Sequence, residues 1–189
     1  MKLVFKINIQ DNLEKTLAAA RYSKFWDDNK VEILNSFYRH TGLKFKQRRI
    51  TVHIREDGRS FAGSNTAPMD LSMTWNTEDE IGRTLIHELS HRLIIGNGIE
   101  PSTNSKHGDE RYNYYVHRQL YLFLYDVYVD ILGSDAADEE VRRESAPGPR
   151  EYYEKAWKWA LQKDYKQRQA TFKRIKCYYL KNASILKKK

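Results

Sequence analysis

A single cysteine, Cys177, occurs among 189 residues, which excludes an internal disulfide framework. No stretch approaches the roughly 18 consecutive apolar residues of a membrane span. The N-terminal MKLVFKINIQDN lacks the apolar core of a signal peptide, so a reducing cytoplasm is the expected location. Glycine and proline are sparse, at nine and four, and neither occurs between 151 and 186, where a long helix is expected. Aromatic residues, by contrast, are plentiful: they make up 13% of a chain that is 40% hydrophobic, far from the composition of disordered chains. The length suits one domain and therefore one site.

The net charge of +8 is unevenly placed. Residues 151–189 carry 12 Lys or Arg against 3 acids, and residues 1–150 carry 21 against 22, so the basicity belongs to the C-terminal segment. That segment suits a solvated helix face, or a surface for an anionic partner such as nucleic acid.

Leu3, Phe5, Ile7 and Ile9 alternate with polar residues, the period of a half-buried strand. Helical spacing follows from about Leu13 to His40, ended by Thr41 and Gly42. Arg49 to Arg55 is rich in β-branched residues and precedes an Asp57-Gly58 turn, and Met69 to Trp75 alternates as a further strand. Thr77 with Glu80 forms a capping box at the start of a helix running to Gly96. A loop separates it from a third helix at about Arg111 to Leu132, and an acidic connector with Pro147-Gly148-Pro149 leads to the final segment. The order β-α-β-β-α-α-α makes an α+β domain.

His87-Glu88-Leu89-Ser90-His91 falls inside the second helix. Residues four apart share a helix face, so both imidazoles can reach one ion, and Glu88 stands beside it. A zinc ion there lowers the pKa of bound water towards about 7, and Glu88 can take that water's proton for attack on a peptide carbonyl. HExxH also arises by accident, but here it lies in a helix delimited independently by its cap and period.

Two histidines leave a tetrahedral site short of one protein ligand, the fourth position being kept for water. Asp126 and Asp130 lie four apart in the otherwise apolar LYLFLYDVYVDIL, where carboxylates are unfavourable unless paired or metal-bound. Asp126 is the expected ligand, and Asp130 the expected acceptor for a histidine ring N–H. His117 and His107 are the alternatives; His117 precedes Asp126 by nine residues, about 180° around a helix, so the two cannot hold the same ion. An ion pair with Arg83 or Arg92 would account for the aspartates without a metal.

The succession of strand, HELSH helix, loop and second helix with an acidic pair, residues 69–133, resembles the gluzincin branch of the zincin metallopeptidases. The resemblance implies a zinc-dependent endopeptidase with a short mixed sheet packed on the HExxH helix. The expected metallopeptidase domain spans residues 1–150, and the charge of residues 151–189 makes them a basic helical segment packed on that domain or extending from it. The resemblance implies Glu88 as general base, His87 and His91 as ligands, and Asp126 and Asp130 in the places of the family's glutamate ligand and supporting aspartate. The ligand here is Asp where the family has Glu. HELSHRLIIGN lacks the Gly and His that metzincins carry after the motif. Lys106-His107-Gly108 resembles the third-histidine context of SprT-like proteases, which act on DNA-attached proteins, although one cysteine leaves no zinc ribbon. In zincins the peptide substrate adds along the sheet edge, here Met69 to Trp75 or Ser60 to Asn65, and Tyr112, Tyr114, Tyr115 or His117 are the candidate oxyanion donors. From a different class, a non-enzymatic nucleic-acid-binding module would use the Lys and Arg interleaved with Trp157, Trp159, Tyr165, Phe172, Tyr178 and Tyr179.

Overall fold

The helix α3, Glu110–Leu132, is the element on which the others are laid. Five successive residues from Leu120 to Leu124 are fully buried, so this helix needs neighbours on every side. The computed structural model describes residues 1–6, 13–56, 60–62, 66–74, 77–99, 109–148 and 150–186. Around α3 pack α1 (Leu13–Thr41), α2 (Glu78–Gly96), α4 (Ser134–Glu144), α5 (Glu151–Leu161) and α6 (Tyr165–Leu186).

The strands β1 (Lys2–Phe5), β2 (Arg49–Arg55) and β3 (Met69–Ser72) form one parallel sheet in sequence order. Leu3 pairs with Ile50, Val52 with both Phe5 and Met69, and Ile54 with Leu71. The α1 crossover between β1 and β2 packs on both strands, and α2 follows β3 and packs on it. The expected mixed sheet is thus parallel in its ladders; among the described residues its antiparallel component is a single bridge, Phe61 to Asp70. Ile7, Ile9, Asp57-Gly58 and Trp75 lie outside the described residues.

Local chemistry accounts for the ends of α2. The Thr77 side chain accepts from the Glu80 amide at 3.2 Å and the Glu80 carboxylate accepts from the Thr77 amide at 2.9 Å, the expected capping box. At the far end Gly98 takes φ +72°, and the Ile99 amide reaches back to the Ile94 carbonyl at 2.9 Å.

Two expectations about the C-terminal third are corrected. The acidic connector folds as α4, where Glu139 pairs with Arg142 and Glu140 with Arg143, each one helical turn apart. Residues 151–186 form two helices rather than one. Asp164 accepts from the Gln167 amide at 2.8 Å while Gln167 accepts from the Asp164 amide at 3.0 Å, a reciprocal cap that starts α6 afresh. Both helices pack on α3: Trp157 is buried and stacks on Tyr121 at 3.7 Å, and Phe172 is buried edge-on to Phe123 at 5.0 Å. Trp159 takes the cations of Arg118 and Lys163 against its ring at 4.4 and 3.8 Å, while Tyr165 and Tyr178 are exposed. Among the described residues no helix is long and apolar enough to cross a membrane.

Candidate metal centre

Because α2 is buried over most of Ile81 to Ile94, its histidines project into protein rather than solvent. One turn apart, His87 and His91 bring their Nε2 atoms to 3.2 Å of each other. Two ligands at 2.0–2.1 Å in a tetrahedron around zinc stand about 3.3 Å apart. The separation fits a shared ion, and it equally fits one N–H···N bond.

A third ring adds a further lone pair to the group. His117 on α3 donates from Nδ1 to the Asn113 carbonyl at 2.7 Å; a carbonyl only accepts, so Nε2 keeps its lone pair. That Nε2 is buried without a hydrogen-bond partner, and the His117 ring lies 5.4 Å from His87 and 5.0 Å from His91. Each of the three imidazoles offers a ring nitrogen within 4.8 Å of the others. Burial drives His87 and His117 down to about 3 and holds His91 well below the usual histidine range, so all three rings are neutral near pH 7 with lone pairs available.

Behind His87 lies a carboxylate. Glu144, at the end of α4, places Oε1 3.5 Å from His87 Nδ1. Its other oxygen accepts from the Tyr121 hydroxyl at 2.7 Å and from Trp157 Nε1 at 2.8 Å. Burial, reinforced by the nearby Glu140 charge, raises the Glu144 carboxyl above its ordinary range. His87, Glu140 and Glu144 also lie within 4.8 Å of one another, but Glu140 is gripped by Arg143 at 2.9 and 2.6 Å and approached by Arg83 at 3.2 Å. Among the described residues, Glu140 is thus committed to Arg143 and Arg83, and Glu144 is the member of this second cluster that faces His87.

Glu88 is buried, and its Oε2 has no hydrogen-bond partner. Burial pushes its carboxyl up to about 8 against the pull of the Arg92 charge. It lines a cleft of about 540 Å³ with the three histidines, Tyr112 and Tyr153. A second arm of about 460 Å³ adjoins it and also reaches His87 and Glu88. At the rim, Phe61 exchanges two 2.9 Å hydrogen bonds with Asp70, which places residues 60–62 along β3 as the outermost strand segment. Phe61 itself is exposed.

Of the expected residues, His87, Glu88 and His91 come together, joined by the alternative His117. Asp126 does not join them: Arg168 of α6 holds it in two hydrogen bonds at 2.6 and 3.3 Å, on the side of α3 that the nine-residue offset from His117 requires. Asp130 orients a different histidine, accepting from His40 Nε2 at 2.8 Å, Ser36 at 2.6 Å and Arg39 at 2.9 Å. The partner of Asp126 is thus neither Arg83 nor Arg92; Arg83 faces Glu140, and Arg92 donates to the Ala67 carbonyl. His107, with Lys106 and Gly108, lies outside the described residues. Tyr112 lines the cleft, whereas Tyr114 and Tyr115 pack against each other beside Arg118. Glu144, Arg150 and Tyr153 were missed. Their nearest signal in the sequence is the Pro147-Gly148-Pro149 stretch that precedes Arg150. No protein-family model, curated protein or solved structure matches the chain.

Proposed function

We propose that this chain is a zinc-dependent endopeptidase, with His87, His91 and His117 holding the ion and Glu88 as general base. The observation that carries the reading is the convergence of three neutral imidazoles beside a carboxylate with no hydrogen-bond partner at Oε2. An imidazole nitrogen buried without a partner is costly, and an ion removes that cost. A three-histidine set with one position left for solvent is a catalytic rather than a structural zinc arrangement. When bound, zinc supplies Lewis acidity towards a carbonyl oxygen and a water molecule.

The chain's own residues supply the proton chemistry. Glu88, already disposed by burial to hold a proton, accepts one from water as the oxygen attacks the peptide carbon, and returns it to the departing amine as the C–N bond breaks. Tyr112 and Tyr153 line the cleft and are the candidate residues to stabilise the developing oxyanion. Two arms meeting at His87 and Glu88 let a polypeptide enter on one side and leave on the other, as internal cleavage requires. The 60–62 edge, where Phe61 is exposed, suits a peptide added as a further strand.

Metal analysis and proteolysis test the reading together. The protein should retain about one zinc per chain after dialysis. Glu88→Gln should keep the zinc yet lose about 10²- to 10⁴-fold in peptide hydrolysis, the range of a lost general base. A native protein free of zinc, or a Glu88→Gln protein as active as the parent, contradicts it.

A further inference from the structure

The two arms of the cleft share Ser60, His87, Glu88, Arg150 and Tyr153, and Arg150 is the cation among them. The other cations on the walls are already engaged: Arg143 grips Glu140 through two hydrogen bonds, and Arg55 has interactions of its own. Arg150 is exposed, and among the described residues its side chain has no hydrogen-bond or ion-pair partner. Its backbone is nevertheless fixed: its carbonyl accepts from the Tyr153 amide at 3.0 Å at the start of α5, the helix that Trp157 anchors in the core.

A free guanidinium on a fixed base presents a permanent charge and a planar fork of donors matched to a carboxylate. We infer that Arg150 is a specificity-determining residue that binds a carboxylate of the substrate beside the bond to be cut. This rests on the peptidase reading above. The carboxylate can be an Asp or Glu side chain or the substrate's C-terminal group. The two-armed cleft, which lets a chain continue past Arg150, favours the side chain.

The test uses a peptide library in which each position is varied between Glu, Gln and Lys, made as a C-terminally amidated and a free-acid series. Binding is measured by fluorescence anisotropy on zinc-loaded Glu88→Gln protein, and cleavage by mass spectrometry with the unsubstituted enzyme. The expected result is a preference of about tenfold for Glu over Gln at one position of the amidated series, the size of one exposed charge-assisted pair. Arg150→Gln, made in the same background, should erase the preference, and Arg150→Glu should turn it towards Lys. Both variants should match the parent in zinc content and melting temperature, as befits an exposed side chain. A preference confined to the free-acid series supports the same carboxylate site and assigns it the C-terminal group. Equal binding of Glu and Gln peptides in both series, or a Glu preference that survives Arg150→Glu, overturns the inference. Carboxylate-selective binding without cleavage would sink the peptidase reading alone, and cleavage blind to carboxylates would sink this inference alone.

Discussion

His117 and Asn113 stand one turn apart on α3, and the carbonyl of the second takes the Nδ1 proton of the first at 2.7 Å. The bond fixes the tautomer that leaves Nε2 facing His87 and His91. His117→Ala should therefore lower zinc affinity by well over tenfold, as loss of a protein ligand does. Asp126→Asn should leave zinc untouched and cost stability instead, about 2 kcal/mol, because it leaves the buried Arg168 guanidinium without its counter-charge. Competition with a chromophoric chelator and urea unfolding separate the two effects. Zinc lost from Asp126→Asn with His117→Ala unaffected would reverse the assignment.

Glu144 acts on the centre through His87, from the face away from the other two rings. With one oxygen held by Tyr121 and Trp157 and the other facing His87 Nδ1, it fixes the ring orientation and favours the Nδ1–H tautomer. Glu144→Gln keeps the shape but replaces the carboxyl group facing His87 with an amide, and should weaken zinc binding by about tenfold, the lower end of the range for outer-shell partners. Tyr121→Phe should do the same more weakly, since Trp157 still donates. If Glu144→Gln binds zinc as tightly as the parent, the carboxylate belongs to the Arg83, Glu140 and Arg143 network alone.

Much of this arrangement was legible in the chain. The α2 boundaries followed from Thr77, Glu80 and Gly98 because caps are local chemistry, and HELSH paired its histidines because helical spacing is local too. The third ligand depended on which face of α3 meets α2, and periodicity cannot choose when residues 120–124 are apolar all round. Asp126 drew attention as a carboxylate in a greasy helix, but its partner arrives 42 residues later on α6, beyond any local pattern. The α5/α6 break could have been read: Asp164 and Gln167 are spaced as a capping box, and the absence of Gly and Pro hid it. Glu144 carried no such signal, since its role depends on α4 and α5 folding back beside His87.

Asp130 supplies a pH dependence remote from the candidate metal centre. Burial opposes its ionisation, but hydrogen bonds from Ser36 and His40, with the charges of His40 and Arg39, outweigh burial and hold the carboxyl below its ordinary 3.8. The folded chain thus gives up this proton more readily than the unfolded chain. The stabilisation is complete above the unfolded value and is lost as pH falls through the folded one. Asp130→Asn should be less stable than the parent by a constant amount at neutral pH, with the gap closing below about pH 4. Urea midpoints at pH 7, 5 and 3 measure this. A gap that widens on acidification would mean the carboxyl is raised, not depressed.

Gly82, mid-helix in α2, marks where that helix meets both α1 and α3. A Cβ there would lie 2.7 Å from Phe25 Cζ and 2.8 Å from Leu132 Cδ2, closer than carbon atoms pack. In an exposed helix Ala in place of Gly gains about 1 kcal/mol. Here the Phe25 ring is buried, and overpacking of this kind costs about 1–3 kcal/mol. Gly82→Ala should therefore destabilise by roughly 1 kcal/mol despite the better helix former. In a double-mutant cycle with Leu132→Ala, which opens the space the methyl needs, the combined loss should be smaller than the sum of the single losses. A Gly82→Ala protein more stable than the parent would show that α2 is free to move away from Phe25. His87, five residues further along the same helix, would then be less firmly placed than its contacts with Glu144 and His91 suggest.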